Sequence, residues 1–533
     1  MTRFLDRRGF LSLAAATAAA CRWLPVRAEG RDWPTRTVAP FVEVEIDSGR
    51  IRGGHSRGAL AFKGIPYAGP VSGGNRFKAP PPVSAWSGVR DATMLGPPSL
   101  QGPGTTYGEH EPPYSEDCLV LNVWTPAVTD GGKRPVMFYC HGGGFTSGSG
   151  GQNIQDGAHL AATYDVVVVA CNHRLGLLGY LYLGGLAEEY SSSGNQGMLD
   201  IIAALTWVRR NIATFGGDPG NVMVFGESGG GEKTSTLMAM PGAHGLFHKA
   251  GIQSGAMLRG LAADAATETA HRVLAALGLG HRDVRKLATV PAERLVALQL
   301  GPAKPGEWRP VIEGRHLPRN PFDPTAPAMS AAIPLLIGNT HDEAVFFEQH
   351  NPQFFAADEH ALQALVRERV GDPAELVLSV YRRSMPGSTA VERAVAIETA
   401  RRVGNDTVAL AERKSRQSAP VFRYRYDYSS NVPVPGTSWT LRACHASDIA
   451  VVFANSEIRD LQGDGPGLAA ASRAMSGYFA NFARNGAPSA AGQPAWPRYD
   501  TRRREVMLLD SECQVISDPD GAERRLWQSL GLI

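Results

Sequence analysis

The feature that most constrains this chain is an apolar run, residues 222–225, that ends abruptly at a serine set among glycines. The run has the composition of a buried strand, and residues 226–230 match the pattern G-x-S-x-G. Between a strand and a helix, such a turn holds its serine in a strained conformation with the hydroxyl exposed above the sheet. The segment therefore predicts an α/β fold with a nucleophile at Ser228.

The same pattern occurs a second time, at residues 54–58, so the pattern alone does not decide the matter. Strand-like segments flank Ser56 on both sides and no helix follows it, which predicts the turn of a β-hairpin. Residues 232–240, after Ser228, can instead begin a helix whose N-terminus points at the serine. The context favours Ser228 and gives Ser56 a structural role.

Strand-like and helical patterns alternate along the chain. The apolar runs lie at residues 119–124, 135–140, 166–171, 221–225, 334–338 and 421–426, and a helical pattern covers 199–215. This alternation predicts a central, mostly parallel twisted sheet with helices on both faces. Residues 42–52 indicate a small N-terminal antiparallel sheet, and residues 262–300 and 359–416 indicate helical insertions over the active site.

The charge balance bounds the class of partner. Lys and Arg number 53 against 51 Asp and Glu, which gives no electrostatic reason to bind nucleic acid or an anionic membrane. Nothing in the 533 residues has the composition of a linker, so residues 29–533 are expected to form a single large domain. The expected partner is a small molecule.

The first 28 residues have the features of an export signal. Arg7 and Arg8 form a twin-arginine pair, and the weakly apolar segment that follows is too short to span a bilayer. Cleavage after Ala28 fits a site of the A-x-A kind, and lipidation at Cys21 is the alternative. We expect export to the periplasm or beyond.

The six cysteines show no regular spacing and no C-x-x-C pair. They predict neither a metal site nor a disulfide framework. No metal or organic cofactor is expected.

A serine hydroxyl needs a base, an acid that orients the base, and donors for an oxyanion. In hydrolases with this turn the acid and then the histidine follow the serine along the chain. Asp342 and Glu343 both follow the strand-like run at 334–338, and the local sequence does not separate them. Of the later histidines, His350 and His360 lie close to the acid, whereas His445 follows the last strand-like run and is the better base.

The oxyanion donors are expected in a glycine loop. Residues 141–145 read H-G-G-G-F after a strand-like run, and loops of this kind direct backbone N–H groups into the site. The expected donors are the N–H groups of Gly143, Gly144 and Gly229, and His141 is expected to brace the loop.

Taken together, these segments resemble the type B carboxylesterases, the cholinesterase-like branch of the α/β-hydrolase superfamily. The resemblance runs from about residue 40 to about 510 and includes the segments 62–68, 115–119, 172–176, 194–197 and 215–219. It implies the α/β-hydrolase fold and a serine hydrolase that cleaves carboxylic esters through an acyl-enzyme. The alternatives are a hydrolase of one particular natural or xenobiotic ester, or a non-catalytic binding protein on the same fold.

The resemblance also implies residue roles. It places the acid at Glu343 and the base at His445, and it gives Ser254 the role of orienting the acid. Glu227 becomes a supporting residue, and Arg76 and Glu116 a structural ion pair. The implied mechanism predicts activity that rises with pH through an imidazole pKa of about 6 to 7.

Three departures from the family pattern affect what we expect. Gly229 stands where the family has alanine, so Gly229→Ala is expected to keep activity. Ala344 and Ala446 stand where the family has glycines. Cys118 has no cysteine between residues 22 and 117 to pair with, so the disulfide of many relatives is expected to be absent.

Substrate choice can be predicted from a missing tryptophan. Cholinesterases hold a quaternary ammonium against aromatic faces, chiefly a tryptophan before the segment equivalent to 115–119. Between residues 89 and 115 this chain has only Tyr107 and Tyr114 as aromatic residues. We therefore expect neutral esters to be cleaved better than choline esters.

Overall fold

The computed structural model describes residues 40–102, 112–301 and 306–533. The predicted export signal, Cys21 and Tyr107 lie outside these ranges. No helix in these ranges combines the length and the apolar character that crossing a membrane requires.

The strands of the described residues are β1 (Phe41–Ile46), β2 (Gly49–Ser56), β3 (Ala59–Pro66), β4 (Val89–Asp91), β5 (Val120–Thr125), β6 (Arg134–Cys140), β7 (Val167–Cys171), β8 (Gly217–Glu227), β9 (Lys249–Gln253), β10 (Leu261–Ala262), β11 (Val311–Ile312), β12 (Leu335–Thr340), β13 (Val421–Tyr426), β14 (Ser430–Pro433), β15 (Thr440–Arg442), β16 (Glu505–Leu509) and β17 (Gln514–Ser517).

The α-helices of the same residues are α1 (Ala158–Tyr164), α2 (Gly176–Tyr180), α3 (Gln196–Asn211), α4 (Gly229–Leu237), α5 (Ala263–Ala276), α6 (Ala292–Leu300), α7 (Glu343–Glu348), α8 (Glu359–Val370), α9 (Ala374–Ser384), α10 (Ala390–Thr399), α11 (Asn405–Lys414), α12 (Ile449–Val452), α13 (Leu468–Asn485) and α14 (Gly521–Ser529). A π-helical turn (Ala400–Gly404) joins α10 to α11, and a 3-10 helix (His281–Thr289) lies between α5 and α6.

One sheet organises the described residues. Its strand order is β1-β2-β3-β5-β7-β6-β8-β9-β12-β13-β16-β17, with β4 paired to β2. The strands from β7 to β16 in this order pair in parallel, whereas the remaining neighbours in the order pair antiparallel. The short strand β4 pairs with β2 in parallel. The expected fold class is confirmed, and the N-terminal antiparallel strands are joined directly to the central sheet.

The sheet is covered by helices on both faces. Along β8, Met223 and Phe225 pack in one core cluster with α1 and α13, while Val222 and Val224 pack in the other with α3 and α11. Burial on both faces is what continuous apolar strands require. The helical segments expected at 262–300 and 359–416 are present as α5, α6 and α8 to α11.

The order of the strands brings four loops together. Strands β6, β8, β9 and β12 are consecutive neighbours and run parallel, so their carboxyl ends meet at one edge. The glycine loop, Ser228, Ser254 and Glu343 follow these four strands respectively. This edge is where a parallel sheet of this kind builds its site.

Candidate active site

Ser228 lies in the sharp turn between β8 and α4. Its backbone has φ 54° and ψ −125°, a conformation that L-residues rarely adopt. The turn is held on both sides, because Ser228 N–H donates to the carbonyl of Gln253 (2.8 Å) and Glu232 N–H donates to the Ser228 carbonyl (3.0 Å). Ser56, in contrast, ends β2 and pairs with Ala59 across a hairpin, as expected.

His445 and Glu343 form a buried pair next to this turn. His445 Nδ1 lies 2.5 Å from Glu343 Oε2. Glu343 Oε1 accepts hydrogen bonds from the hydroxyl of Ser254 (2.6 Å) and from Thr340 N–H (2.7 Å). The carboxylate is therefore held in one orientation, and Ser254 contacts the acid as the resemblance implies.

The other candidates for acid and base lie elsewhere. Asp342 contacts His341 Nδ1 at 3.0 Å and Arg442 at 3.9 Å, so its carboxylate is directed away from His445. His350 and His360 are exposed. The geometry thus separates Glu343 from Asp342, which the local sequence did not.

A second carboxylate contacts the same imidazole. Glu227 Oε1 lies 3.3 Å from His445 Nε2, and both side chains are buried. Burial raises the pKa of Glu227 to about 8. Burial by itself lowers the pKa of His445, but the charges of Glu227 and Glu343 outweigh it and raise that pKa to about 9.

The glycine loop presents its N–H groups on one side. Gly143 and Gly144 have positive φ (84° and 58°). The Gly142 carbonyl is 2.8 Å from His141 Nδ1, and the Gly143 carbonyl accepts from Ser147 N–H at 3.1 Å. In a planar trans peptide the N–H points opposite to the C=O, so these contacts turn the N–H groups of Gly143 and Gly144 the other way. Neither N–H has an acceptor among the described residues.

Two cavities meet at Ser228 and His445. The first, of about 200 Å³, is lined by the glycine loop, Gln152, Gln155, Phe346, Phe347, Ala446 and Ile449. The second, of about 330 Å³, is lined by charged side chains, Glu232, Arg309, Arg402 and Asp406, together with Ser254 and Phe347. Apolar side chains are therefore concentrated in the first cavity, which also has Ser147, Glu227 and the two glutamines in its lining, and the second cavity is mainly polar.

Comparison of the chain with known proteins identifies its family. The model of the carboxylesterase family matches residues 40–527. The chain is 37% identical to the para-nitrobenzyl esterase of Bacillus subtilis, over 92% of this chain and 99% of that protein. It is 32% identical to the phenmedipham hydrolase of Pseudarthrobacter oxydans, over 87% of this chain and 94% of that protein. The crystal structure of the Geobacillus stearothermophilus carboxylesterase Est55 superposes with a TM-score of 0.81 at 37% identity, covering 91% of this chain and all of that one.

The chain belongs to the carboxylesterase family. It is a carboxylic-ester hydrolase with the α/β-hydrolase fold.

The structure contradicts one expectation drawn from the family. A Cβ added at Gly229 would lie 2.2 Å from the carbonyl oxygen of Gly144 and 2.4 Å from its Cα. Backbone atoms at these distances cannot make room without moving the loop. Alanine at this position is therefore not neutral here, because the glycine loop of this carboxylesterase sits closer to the turn than a methyl group allows.

The other departures have local explanations. Ala344 lies in the first turn of α7 and needs no glycine conformation. Ala446 has φ 67°, so it occupies a position that favours glycine, which accounts for the family's residue there. Cys118 is buried and free, and no disulfide forms among the described cysteines.

Arg76 and Glu116 form the expected ion pair, and neither residue lines the cavities at Ser228. Arg76 Nε and Nη2 donate to the two carboxylate oxygens of Glu116 at 2.8 and 2.7 Å. Arg76 Nη1 also donates to the carbonyls of Leu287 (3.0 Å) and Val290 (2.7 Å).

Sequence reasoning missed Lys233. Its side chain is fully buried, and Nζ donates to the carbonyls of His141 (2.9 Å) and Gly144 (2.7 Å). A single lysine in a helix normally indicates a solvated face, so the sequence did not predict a role for Lys233 at the site. The available signal was its spacing, since Lys233 lies one helical turn after Gly229 and so on the same face of α4.

Proposed function

We propose that Ser228 is the nucleophile of this esterase, His445 its general base and Glu343 the acid that orients the base. The N–H groups of Gly143, Gly144 and Gly229 are proposed to stabilise the oxyanion. The observation that carries the proposal is the chain of contacts from Ser254 and Thr340 through Glu343 to His445, beside a serine in a strained strand-to-helix turn.

The steps follow the general chemistry of such a triad. Ser228 Oγ attacks the ester carbonyl while His445 takes its proton, and the imidazolium is stabilised by Glu343. His445 then protonates the departing alcohol, which leaves an acyl-enzyme. Water, deprotonated by His445, attacks the acyl carbon and releases the carboxylate.

The test is to remove the nucleophile and to label it. Ser228→Ala should lower kcat by roughly 10⁴- to 10⁶-fold with the fold intact, and Ser56→Ala is the matched control and should change little. An organophosphate should label Ser228 in the wild-type protein, as read by mass spectrometry of its peptides. Label on any other serine would refute the assignment.

We also propose a substrate class for the site. The size of the two cavities and the polar lining of the second support uncharged esters with one compact apolar half and one half that carries hydrogen-bonding groups. A para-nitrobenzyl ester is a suitable first probe, since the Bacillus subtilis relative is named for it. A panel that varies the acyl and alcohol halves separately would distinguish a broad esterase from a hydrolase of one particular ester.

Finally, we propose that residues 1–28 direct export by the twin-arginine route and that residues 29–533 form the mature protein. The Arg7-Arg8 pair before a short apolar segment supports this. Replacing both arginines by lysine should leave the activity inside the cell. An unchanged extracellular or periplasmic fraction would contradict the proposal.

A further inference from the structure

We propose that Lys233 is a positioning residue that holds the oxyanion loop against the nucleophile turn. The loop can lie this close to the turn only because residue 229 is a glycine. The proposal rests on the proposed role of this loop. It concerns a residue of α4 that contacts the loop and is separate from the proposed triad.

The first support is the position of the charge. Lys233 is fully buried and forms no ion pair within the described part of the chain. Its hydrogen bonds go to the carbonyls of His141 and Gly144, and its Nζ lies 5.4 Å from the centroid of the Phe145 ring, which belongs to the same loop. A buried ammonium group that forms no ion pair is costly unless hydrogen bonds compensate it. Both of those bonds go to the one loop that presents the oxyanion donors.

The second support is the geometry of the loop. The carbonyls of His141 and Gly144 belong to the peptides that flank the two donor-bearing peptides on either side. The carbonyls of the donor-bearing peptides are themselves fixed, by the His141 ring and by Ser147 N–H. A run of three glycines has large conformational freedom, and anchoring both ends removes it. Lys233 thus closes the set of contacts that directs the donors to one side.

The third support is the close approach to Gly229. The Gly144 carbonyl oxygen that accepts from Lys233 is the atom that a Cβ at position 229 would meet at 2.2 Å. Lys233 and Gly229 lie four residues apart on the same face of α4. The hydrogen bond from Lys233 holds the Gly144 carbonyl close to α4, and the missing side chain at Gly229 leaves space for that carbonyl. The two residues should therefore act together.

The charge also contributes to the state of the loop histidine. Burial, and after it the charge of the nearby Lys233, lowers the pKa of His141 to about 3. His141 is then neutral, with one ring N–H, and its Nδ1 lies 2.8 Å from the Gly142 carbonyl, where that N–H donates. A neutral imidazole in this tautomer is the form that braces the donor peptide of Gly143.

The test is a double-mutant cycle on kcat and KM. Lys233→Met keeps the volume of the side chain and removes both hydrogen bonds. We expect kcat to fall on the order of 10²-fold with KM within about threefold, since donors of this kind act on the transition state. Lys414→Met is the control, because Lys414 is equally buried, at the end of α11, and lines neither cavity at Ser228.

The cycle is completed with Gly229→Ala, alone and combined with Lys233→Met. Gly229→Ala alone should lower kcat more than tenfold. In the Lys233→Met background it should lower kcat by less than threefold, because the loop can then move away. Equal effects in both backgrounds, or an unchanged kcat in Lys233→Met, would overturn the proposal.

A second measurement covers the case in which Lys233→Met folds poorly. Lys233→Gln retains a donor without the charge and should fall between wild type and Lys233→Met in kcat. A trifluoromethyl ketone, which forms a tetrahedral adduct, should lose affinity in both variants in parallel with kcat. Organophosphate labelling of Ser228 tests the proposed nucleophile independently. Label on another serine would contradict the proposed function, whereas the double-mutant cycle alone decides the role of Lys233.

Discussion

At the scale of single residues, the unusual feature of this esterase is an imidazole between two carboxylates. Glu343 contacts His445 Nδ1 and Glu227 contacts Nε2, the nitrogen that receives the proton of Ser228 in the proposed mechanism. The charge of Glu343 favours the imidazolium form, and so does the charge of Glu227 at the pH values at which Glu227 is ionised. If His445 is the general base, as proposed, it must be neutral in the free enzyme, so these charges move its working range to higher pH. The value of about 6 to 7 expected from an ordinary imidazole is therefore too low for this site.

This arrangement predicts the pH dependence. kcat/KM should rise with pH through a midpoint above 7. The reason is that the pKa of His445 is raised, and below this pKa His445 is protonated and cannot act as a base. Glu227→Gln removes one of the two charges and should move the midpoint down, on the order of one pH unit. Asp342→Asn, which changes a carboxylate directed toward His341 and Arg442, is the control. A midpoint that Glu227→Gln leaves in place would show that Glu227 does not act on the base.

At the scale of elements, the sequence predicted the strands and helices that have a strong periodicity and the segments that have a distinctive turn. Strands such as β6, β7 and β8 are continuous apolar runs, and the structure confirms them within a few residues. Strand β9 was missed because it contains Lys249, Gly251 and Gln253, and its strand form depends on β8 and β12 on either side.

The dependence on neighbouring segments also explains which parts of the active site could be predicted from the sequence. Ser228 and the glycine loop carry local signals, whereas the choice of Glu343 over Asp342 and the contacts of Lys233 depend on which residues the fold brings near them. The close approach of Gly144 to Gly229 is likewise a matter of tenths of an ångström between two segments. No pattern along the chain records such a distance.

The ion pair of Arg76 gives a prediction at this scale, since it joins the segment before β4 to the end of the 3-10 helix His281–Thr289. Arg76→Met should destabilise the protein by about 3 kcal/mol, because Glu116 and the carbonyls of Leu287 and Val290 lose their donors. Urea denaturation followed by fluorescence measures this. Arg285→Met, which breaks the exposed pair with Glu189, should change stability by less than about 1 kcal/mol. Equal losses for both variants would contradict a structural role for Arg76.

At the scale of the whole molecule, charge decides what can approach the site. The near-equal totals of basic and acidic residues provide no long-range attraction for a cation. Within the second cavity, Arg309 and Arg402 are permanently charged, and Arg309 lies 3.6 Å from the carboxylate of Glu232. Arg402 also lies over the ring of Phe347, 5.1 Å from its centroid, and so occupies an aromatic face beside His445.

A quaternary ammonium should therefore be disfavoured at Phe347, because this ring already faces the guanidinium of Arg402. The sharpest comparison is a choline ester against the 3,3-dimethylbutyl ester of the same acid, which has the same shape without the charge. We expect the neutral ester to have the higher kcat/KM, on the order of tenfold, which corresponds to about 1.4 kcal/mol. The difference should shrink at high salt, since screening weakens the repulsion from half-exposed arginines. Equal or better cleavage of the choline ester would mean that Phe346, Tyr114 or residues outside the described ranges form an aromatic site for the cation, strong enough to outweigh Arg402.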